Sequence, residues 1–340
     1  MSRQRSRTRF LLAALAVSGI VPGSACAQAN AAEGGDGGGT APIAARLLDL
    51  TAASIASSSQ LRGISGSVSA VVLHHGEQLP LASALPAGVT LHYIAAGESA
   101  PADTLTGAPT QPGVWTVLLR MGSAVRHVPD VNVLTSVPLE QKRAGKMGTY
   151  LVGSWPHEGS KSGAAHAYAP PAGLVEVTPA NADLRVSQHL RLRDFLTKGQ
   201  NEVWPKYVAL NPRVVDKMEL TLAQLASAGR SVQHVGIVSA FRTPWYNANG
   251  GSTAGRGELS RHMYGDAIDL YIDNDRNGRM DDLNGDGRVD RKDAALIAAA
   301  AERVEQDHPG LIGGIGIYNP KPAAHSGFVH IDARGSRARW

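Results

Sequence analysis

Three side chains in the last third of the chain have the types and order of metal ligands: His262, Asp269 and His330. Two imidazoles and one carboxylate leave one position of a tetrahedral zinc ion open. An open position is typical of a catalytic zinc site, whereas structural zinc sites are closed by four protein ligands. The three residues therefore predict a hydrolytic metal centre.

Short β-strands are expected to carry two of these ligands. Asp269 alternates with the apolar residues Ile268 and Leu270, so its carboxylate faces a different side of the strand from theirs. His330 alternates with apolar neighbours in the same way, and adjacent antiparallel strands could bring it next to Asp269. Gly265 predicts a turn between His262 and the first of these strands.

The segments around these ligands resemble the zinc D-alanyl-D-alanine carboxypeptidase and endopeptidase family. That family belongs to the superfamily that also holds lysostaphin-type peptidases and the hedgehog signalling domain. The resemblance spans about residues 173–340. Its specific elements are a Ser-x-x-Arg motif, a His-x6-Asp motif and a His-x-Asp motif, at Ser239 and Arg242, His262 and Asp269, and His330 and Asp332.

The resemblance implies a fold, a metal and a substrate. It implies that zinc is bound by His262, Asp269 and His330, and that the C-terminal domain is an α+β fold with an antiparallel sheet. The substrate class that it implies is the peptidoglycan stem peptide or its crosslink.

The sequence leaves the general base open. A base must take a proton from the attacking water and return it to the leaving amine. Many relatives place a Glu three residues before the last ligand, but that position is Gly327 here. One candidate is His325, where some family members carry a catalytic His. The other is Asp332, which could instead orient His330 from behind.

Arg242 is the expected substrate-binding residue. Its guanidinium is planar and permanently charged, which suits a substrate carboxylate. Ser239 is expected to position Arg242 or the peptide. A surface salt bridge is the alternative role for Arg242.

The segment 273–293 matches an EF-hand-type calcium loop. In the best match, Gly287 makes the tight turn and the ligands are Asp282, Asn284, Asp286, Arg288 at the backbone-carbonyl position, and Asp293. An overlapping earlier copy gives a partial second calcium site from Asp273, Asp275 and Asn277. The alternative is a solvated acidic loop.

The N-terminus has the pattern of a bacterial secretory signal. Basic residues precede an apolar run at 10–21, and small residues follow up to Ala27. The run is too short to span a bilayer. Residues 1–27 therefore predict export to the periplasm or the extracellular space. Cys26, the single cysteine, either leaves with the signal or becomes a lipid anchor, so no internal disulfide is expected.

Charge and composition suggest the remaining organisation. The chain has 33 Lys and Arg against 29 Asp and Glu, and the arginines of the signal account for the excess, so nucleic-acid binding is not expected. A Gly-rich linker at 28–42 precedes a β-rich domain at 43–155, which is expected to be a small sandwich. A second linker at 156–172 leads to the peptidase domain at 173–340.

The sequence thus predicts an exported zinc peptidase that trims or cleaves peptidoglycan peptides. Two alternatives stay open. In the first, zinc and calcium stabilise a non-catalytic module that binds the cell wall, which the missing Glu at Gly327 favours. In the second, the β-rich region binds wall polymer and the C-terminal domain assists.

Overall fold

The computed structural model describes residues 40–58, 63–96, 105–160, 168–320 and 326–340. The expected signal and most of the first linker fall outside these ranges, and so does His325. The described residues form helices and several sheets, in which most strand pairs are antiparallel and two are parallel. The α+β class predicted from the sequence is confirmed.

The first sheet has one helix packed against it. Helix α1 (Thr40–Ser57) precedes strands β1, β2, β3 and β4, which lie at Ala70–Leu73, Thr90–Ala95, Gly113–Met121 and Ala124–Thr135. The strand order is β1-β4-β3-β2, and only the β1–β4 pair is parallel. Leu48 and Ala52 of α1 share a buried core with Val117 and Leu119 of β3. A helix therefore covers this sheet where the sandwich prediction expects a second sheet.

Two small sheets connect this region to the candidate site. Their strands β5 to β9 lie at Val137–Pro138, Lys146–Met147, Tyr150–Leu151, Gly173–Val177 and Lys206–Val208. Strand β8 lies between β5 and β9, and β6 pairs with β7. Two 3-10 helices lie between these strands, at Leu139–Gln141 and Leu192–Phe195.

The five-stranded sheet carries the candidate ligands. Its strands β10 to β14 lie at Val235–Ser239, Ala267–Ile272, Gly314–Tyr318, Phe328–Asp332 and Ala338–Arg339. The order is β10-β11-β13-β12-β14, and all pairs except β12–β14 are antiparallel. The antiparallel sheet that the resemblance implies is therefore present.

Three helices accompany this sheet: α2 (Pro212–Ser227), α3 (Pro244–Asn249) and α4 (Arg291–Asp307). Asn211 caps α2 by accepting a hydrogen bond from the Arg213 amide, and Gly229 follows its end with a positive φ of 76°. The buried faces of α2 and α4 join the core beneath β11 and β13. Short 3-10 helices at Arg261–Tyr264 and Pro309–Leu311 complete the unit.

The core under this sheet reaches back before residue 156. Val137, Met147, Tyr150 and Trp155 are all buried in it. The Trp155 indole also donates a 2.8 Å hydrogen bond to the Met263 carbonyl, next to His262. Residues that the sequence prediction placed in the β-rich domain thus support the candidate site directly.

Within the described ranges, no helix combines the length and the apolar character needed to cross a membrane.

Candidate metal centre

The structure brings together the three residues that the sequence singles out. Strands β11 and β13 pair so that Asp269 lies directly opposite His330. His262 reaches the same point from the 3-10 helix Arg261–Tyr264. One ligand atom from each side chain lies within 4.8 Å of the others, and all three residues are buried. Two strands and a turn therefore converge on one position.

Hydrogen bonding fixes the tautomer of His262. Its Nδ1 lies 2.6 Å from the carbonyl oxygen of Ala240. A carbonyl can only accept, so Nδ1 carries the proton and Nε2 keeps its lone pair. That Nε2 lies 3.2 Å from Oδ2 of Asp269. The backbone thus presents His262 as an Nε2 donor to a cation.

His330 lies between two carboxylates. Its Nδ1 is 2.8 Å from Oδ1 of Asp269, and its Nε2 is 3.1 Å from Oδ2 of Asp332. Asp332 is fully buried and accepts hydrogen bonds from the Gly314 amide at 2.8 Å and from Nε of Arg334 at 2.9 Å. A histidine held in this way through Nε2 can turn Nδ1 towards a cation.

The cluster is strongly coupled electrostatically. Burial lowers the pKa of His262. Burial also opposes the charged form of His330, but its hydrogen bonds to Asp269 and Asp332 outweigh this and raise its pKa. Burial alone would raise the pKa of Asp269, yet the two imidazoles hold it below its usual range. Asp269 therefore stays ionised in the centre of the cluster.

The donor set could hold a metal ion. It consists of one imidazole Nε2, one imidazole Nδ1 and one carboxylate oxygen, all buried and close enough to share one ion. Both rings are held from behind, His262 by a backbone carbonyl and His330 by Asp332. Such supporting hydrogen bonds are usual for histidines that bind metals.

The cluster faces a cavity of about 330 Å³. Its wall includes aromatic side chains and the basic residues Arg242 and Arg256; the aromatic ones are Tyr318, Phe328 and Trp340. The ring of Trp340 lies 5.1 Å from that of His330. Arg242, Arg256 and Asp269 also line a neighbouring cavity of about 420 Å³. The three clustered side chains therefore lie beside a cleft with positive charge on its wall.

Arg242 lines both of these cavities. Its guanidinium donates to Oδ1 of Asn247 at 3.1 Å and to Oγ of Ser239 at 3.4 Å. It lies 3.9 Å from Oδ2 of Asp269. Ser239 thus contacts Arg242, as the sequence analysis expects, and Asn247 is a second support.

The acidic segment after β11 has two parts. In the first, Asp273, Asp275 and Asp281 bring three carboxylates within 4.8 Å, and Asn277 donates to Oδ2 of Asp275 at 2.7 Å. Sequence reasoning missed Asp281, although it occupies the ninth position of the loop that starts at Asp273.

The second part, 282–293, brings no three acidic groups that close together, and all of its residues are described. Asp293 is buried, and its Oδ1 accepts from the amides of Leu283 and Asn284. Asp286 accepts from the Arg288 amide and pairs with Lys292 at 3.0 Å. Oδ1 of Asp282 accepts from the Gly285 amide.

Arg334 is a site residue that the sequence analysis missed. It forms an ion pair with Asp332, and its guanidinium lies 5.8 Å from the Trp340 ring. The sequence signal for Arg334 was its spacing of two residues from Asp332, which itself lies two residues after His330. His330 and Asp332 lie on one face of β13, and Arg334 continues the same spacing beyond the end of the strand.

No protein family, curated protein or solved structure matches the chain.

Proposed function

We propose that this chain is an exported zinc peptidase that hydrolyses peptidoglycan stem peptides or their crosslinks. The observation that carries the proposal is the buried cluster of His262, Asp269 and His330 beside a cleft lined by Arg242. The resemblance of the motifs around these residues to those of D-alanyl-D-alanine peptidases supports the choice of substrate. The secretory pattern at the N-terminus supports export.

The proposed ligands are Nε2 of His262, Nδ1 of His330 and a carboxylate oxygen of Asp269. A zinc ion bound there would supply Lewis acidity to the scissile carbonyl and would lower the pKa of its water to about 7. The geometry favours Asp332 as a positioning residue, because its oxygens are engaged with His330, Gly314 and Arg334. His325 therefore remains our candidate for the general base.

Arg242 is the proposed anchor for the substrate. Arg256 and Lys198 line the same neighbouring cavity, so the cleft favours an anionic peptide. A terminal carboxylate bound in a fork by Arg242 would hold the last peptide bond at a fixed distance from the ligands. Ser239 and Asn247 hold the guanidinium in place.

The test is digestion of purified peptidoglycan and defined crosslinked muropeptides, with products identified by mass spectrometry. Wild type is compared with His262→Ala, and His75→Ala is the matched control, since His75 is exposed and does not line the cavity beside the cluster. We expect stem-peptide products from wild type and the control only, together with one zinc per chain. Products that persist in His262→Ala would overturn the proposal.

A wall-binding module is the second candidate function. The observation that favours it is Gly327, which has a positive φ of 107° and no side chain to act as a base. Stoichiometric zinc together with retention on peptidoglycan and no cleavage products would select this function over the peptidase.

A further inference from the structure

We propose that the loop 273–281 binds one calcium ion through Asp273, Asp275 and Asp281. The site is separate from the zinc ligands, and the proposal does not depend on peptidase activity. It uses a carboxylate, Asp281, that the sequence motif leaves unassigned.

The spacing of the three carboxylates fits a single ion. One oxygen from each lies within 4.8 Å of the others. Calcium binds oxygen at about 2.4 Å, so two ligands on opposite sides of one ion are about 4.8 Å apart. All three groups are hard oxygen donors, which favours calcium over zinc at this position.

An unsatisfied oxygen points independently to a cation. Asp273 is only 3% exposed, and its Oδ1 is buried without a hydrogen-bond partner. Its Oδ2 accepts from the Gly278 amide at 3.2 Å, and Nδ1 of His234 lies 3.7 Å from that same oxygen. A buried carboxylate oxygen with no partner is costly, and a bound cation would supply the missing interaction.

The following loop lacks this feature. Both oxygens of Asp293 accept backbone hydrogen bonds, from Leu283 and Asn284 on one side and from Asp290 on the other. They close the start of α4 as part of a capping box. Asp286 has a lysine as its partner. Asp293 and Asp286 thus already have partners within the protein.

The proposed ion would join the ends of the two strands that carry Asp269 and His330. Asp273 directly follows β11, and the Asp281 amide donates to the Ile272 carbonyl at 2.9 Å. The neighbouring Met280 amide donates to Oγ of Ser326 at 2.8 Å, just before β13 begins. A calcium-bound loop would therefore hold both strand ends in register.

The test is calorimetric titration of the full chain with Ca²⁺ after removal of divalent ions and reloading with one zinc. Asp281→Asn is compared with Asp286→Asn, which neutralises an exposed carboxylate of the following loop. Asp275→Asn is a second variant at an exposed position, in case Asp281→Asn fails to fold. Circular dichroism without Ca²⁺ and zinc content are measured on each sample.

We expect Asp281→Asn and Asp275→Asn each to weaken Ca²⁺ binding at least about tenfold, because affinity follows the number of charged ligands. Asp286→Asn should bind Ca²⁺ like wild type. Ca²⁺ should also raise the melting temperature of wild type but not of Asp281→Asn. Binding lost in Asp286→Asn and kept in Asp281→Asn, or no binding to wild type at millimolar Ca²⁺, would overturn the proposal. Unchanged zinc content without cleavage of peptidoglycan would contradict the proposed peptidase function but not the proposed calcium site.

Discussion

Asp332 is a residue whose surroundings limit what it can do. A general base needs an oxygen that faces the reacting water, but Asp332 is fully buried behind His330. Burial would raise its pKa, yet hydrogen bonds from His330 and Arg334 hold that pKa well below its usual range. A permanently ionised carboxylate at Nε2 suits the support of a ligand better than the exchange of protons.

Replacing Asp332 by Asn should therefore weaken zinc binding. Loss of a carboxylate behind a ligating histidine typically costs about 10- to 100-fold in metal affinity. Competition with a chromophoric chelator measures this, with Asp286→Asn as the control that changes an exposed carboxylate. Unchanged zinc affinity together with lost cleavage would instead identify Asp332 as the base.

Arg242 should act on substrates that end in a free carboxylate. Arg242→Lys keeps the charge but loses the planar fork, so we expect KM for such peptides to rise at least about tenfold. Peptides with an amidated end should be affected little. Steady-state kinetics with the free-acid peptide and its amidated counterpart measure this difference in KM. An equal loss of activity on both peptides would show that Arg242 supports the fold or the metal ligands instead.

At the scale of elements, a tight turn delivers His262. Gly265 ends the 3-10 helix with a positive φ of 69°, and a Cβ there would lie 2.5 Å from the Ala209 carbonyl group. Gly229 has a similar φ of 76° but open space around it. A comparison of alanine substitutions at the two glycines therefore separates the free-energy cost of backbone strain from that of a steric clash.

Gly265→Ala should lower the free energy of unfolding more than Gly229→Ala does. The left-handed conformation alone costs about 1–2 kcal/mol for Ala. The clash at Gly265 should add at least about 1 kcal/mol and lower zinc affinity by displacing His262. Urea denaturation of both variants measures the difference. Equal losses in the free energy of unfolding would mean that the backbone at Ala209 can move away from the new Cβ without an energetic cost.

A buried ion pair joins α2 and α4 beneath β13. Nζ of Lys217 lies 2.6 Å from Glu305 and 2.7 Å from the Asp332 carbonyl oxygen. Lys217 is fully buried, and Glu305 also accepts from the Gly313 amide. These contacts hold the backbone of the strand that presents His330.

Glu305→Gln should destabilise the protein by about 3–5 kcal/mol at pH 7, since it leaves a buried ammonium without a counterion. Burial opposes ionisation of Glu305, but Lys217 and Arg339 lower its pKa. Its contribution is thus present above the unfolded-state pKa and is lost as the pH falls through the folded-state value.

We therefore expect the difference in the free energy of unfolding between wild type and Glu305→Gln to become smaller below about pH 4. Denaturation at a series of pH values measures this difference. Glu302→Gln is the control, because its partly exposed ion pairs with Arg337 and Arg339 contribute about 1 kcal/mol or less. A gap that stays constant down to pH 2 would contradict the role of the pair.

Alternating residues made the strands around the site predictable. The polar positions of Asp269 and His330 among apolar neighbours indicate two half-polar strands, and these strands do pair. The carbonyl that orients His262 belongs to Ala240, a residue without a chemical signature of its own. Contacts of this kind depend on the tertiary fold, so sequence spacing does not reveal them.

At the scale of the whole molecule, the amino-acid composition predicted where the sheets lie better than it predicted the boundaries between domains. Gly- and Pro-rich stretches suggested a linker at 156–172, but hydrophobic side chains before it are buried in the core of the ligand-bearing sheet. Strand β5 also pairs with β8 across that stretch, with Val137 opposite Leu174. Such long-range pairing has no local signature.

A chain of residues 136–340 should therefore fold, whereas residues 173–340 alone should not. The shorter chain loses five buried side chains, Val137, Met147, Tyr150, Val152 and Trp155. At about 1.5–3 kcal/mol for each buried side chain, the loss is about 10 kcal/mol, which is comparable with the whole stability of a typical domain. It also loses the hydrogen bond from Trp155 to Met263 beside His262.

Thermal unfolding followed by circular dichroism, with zinc content measured on the same samples, compares the two chains. We expect a cooperative transition and one zinc per chain for 136–340, and neither for 173–340. The longer chain still lacks Val68, Ala70 and Leu134, which belong to the same core, so it should melt below the full chain. A cooperative transition in 173–340 would show that the segment before residue 156 adds stability without being required for the metal centre.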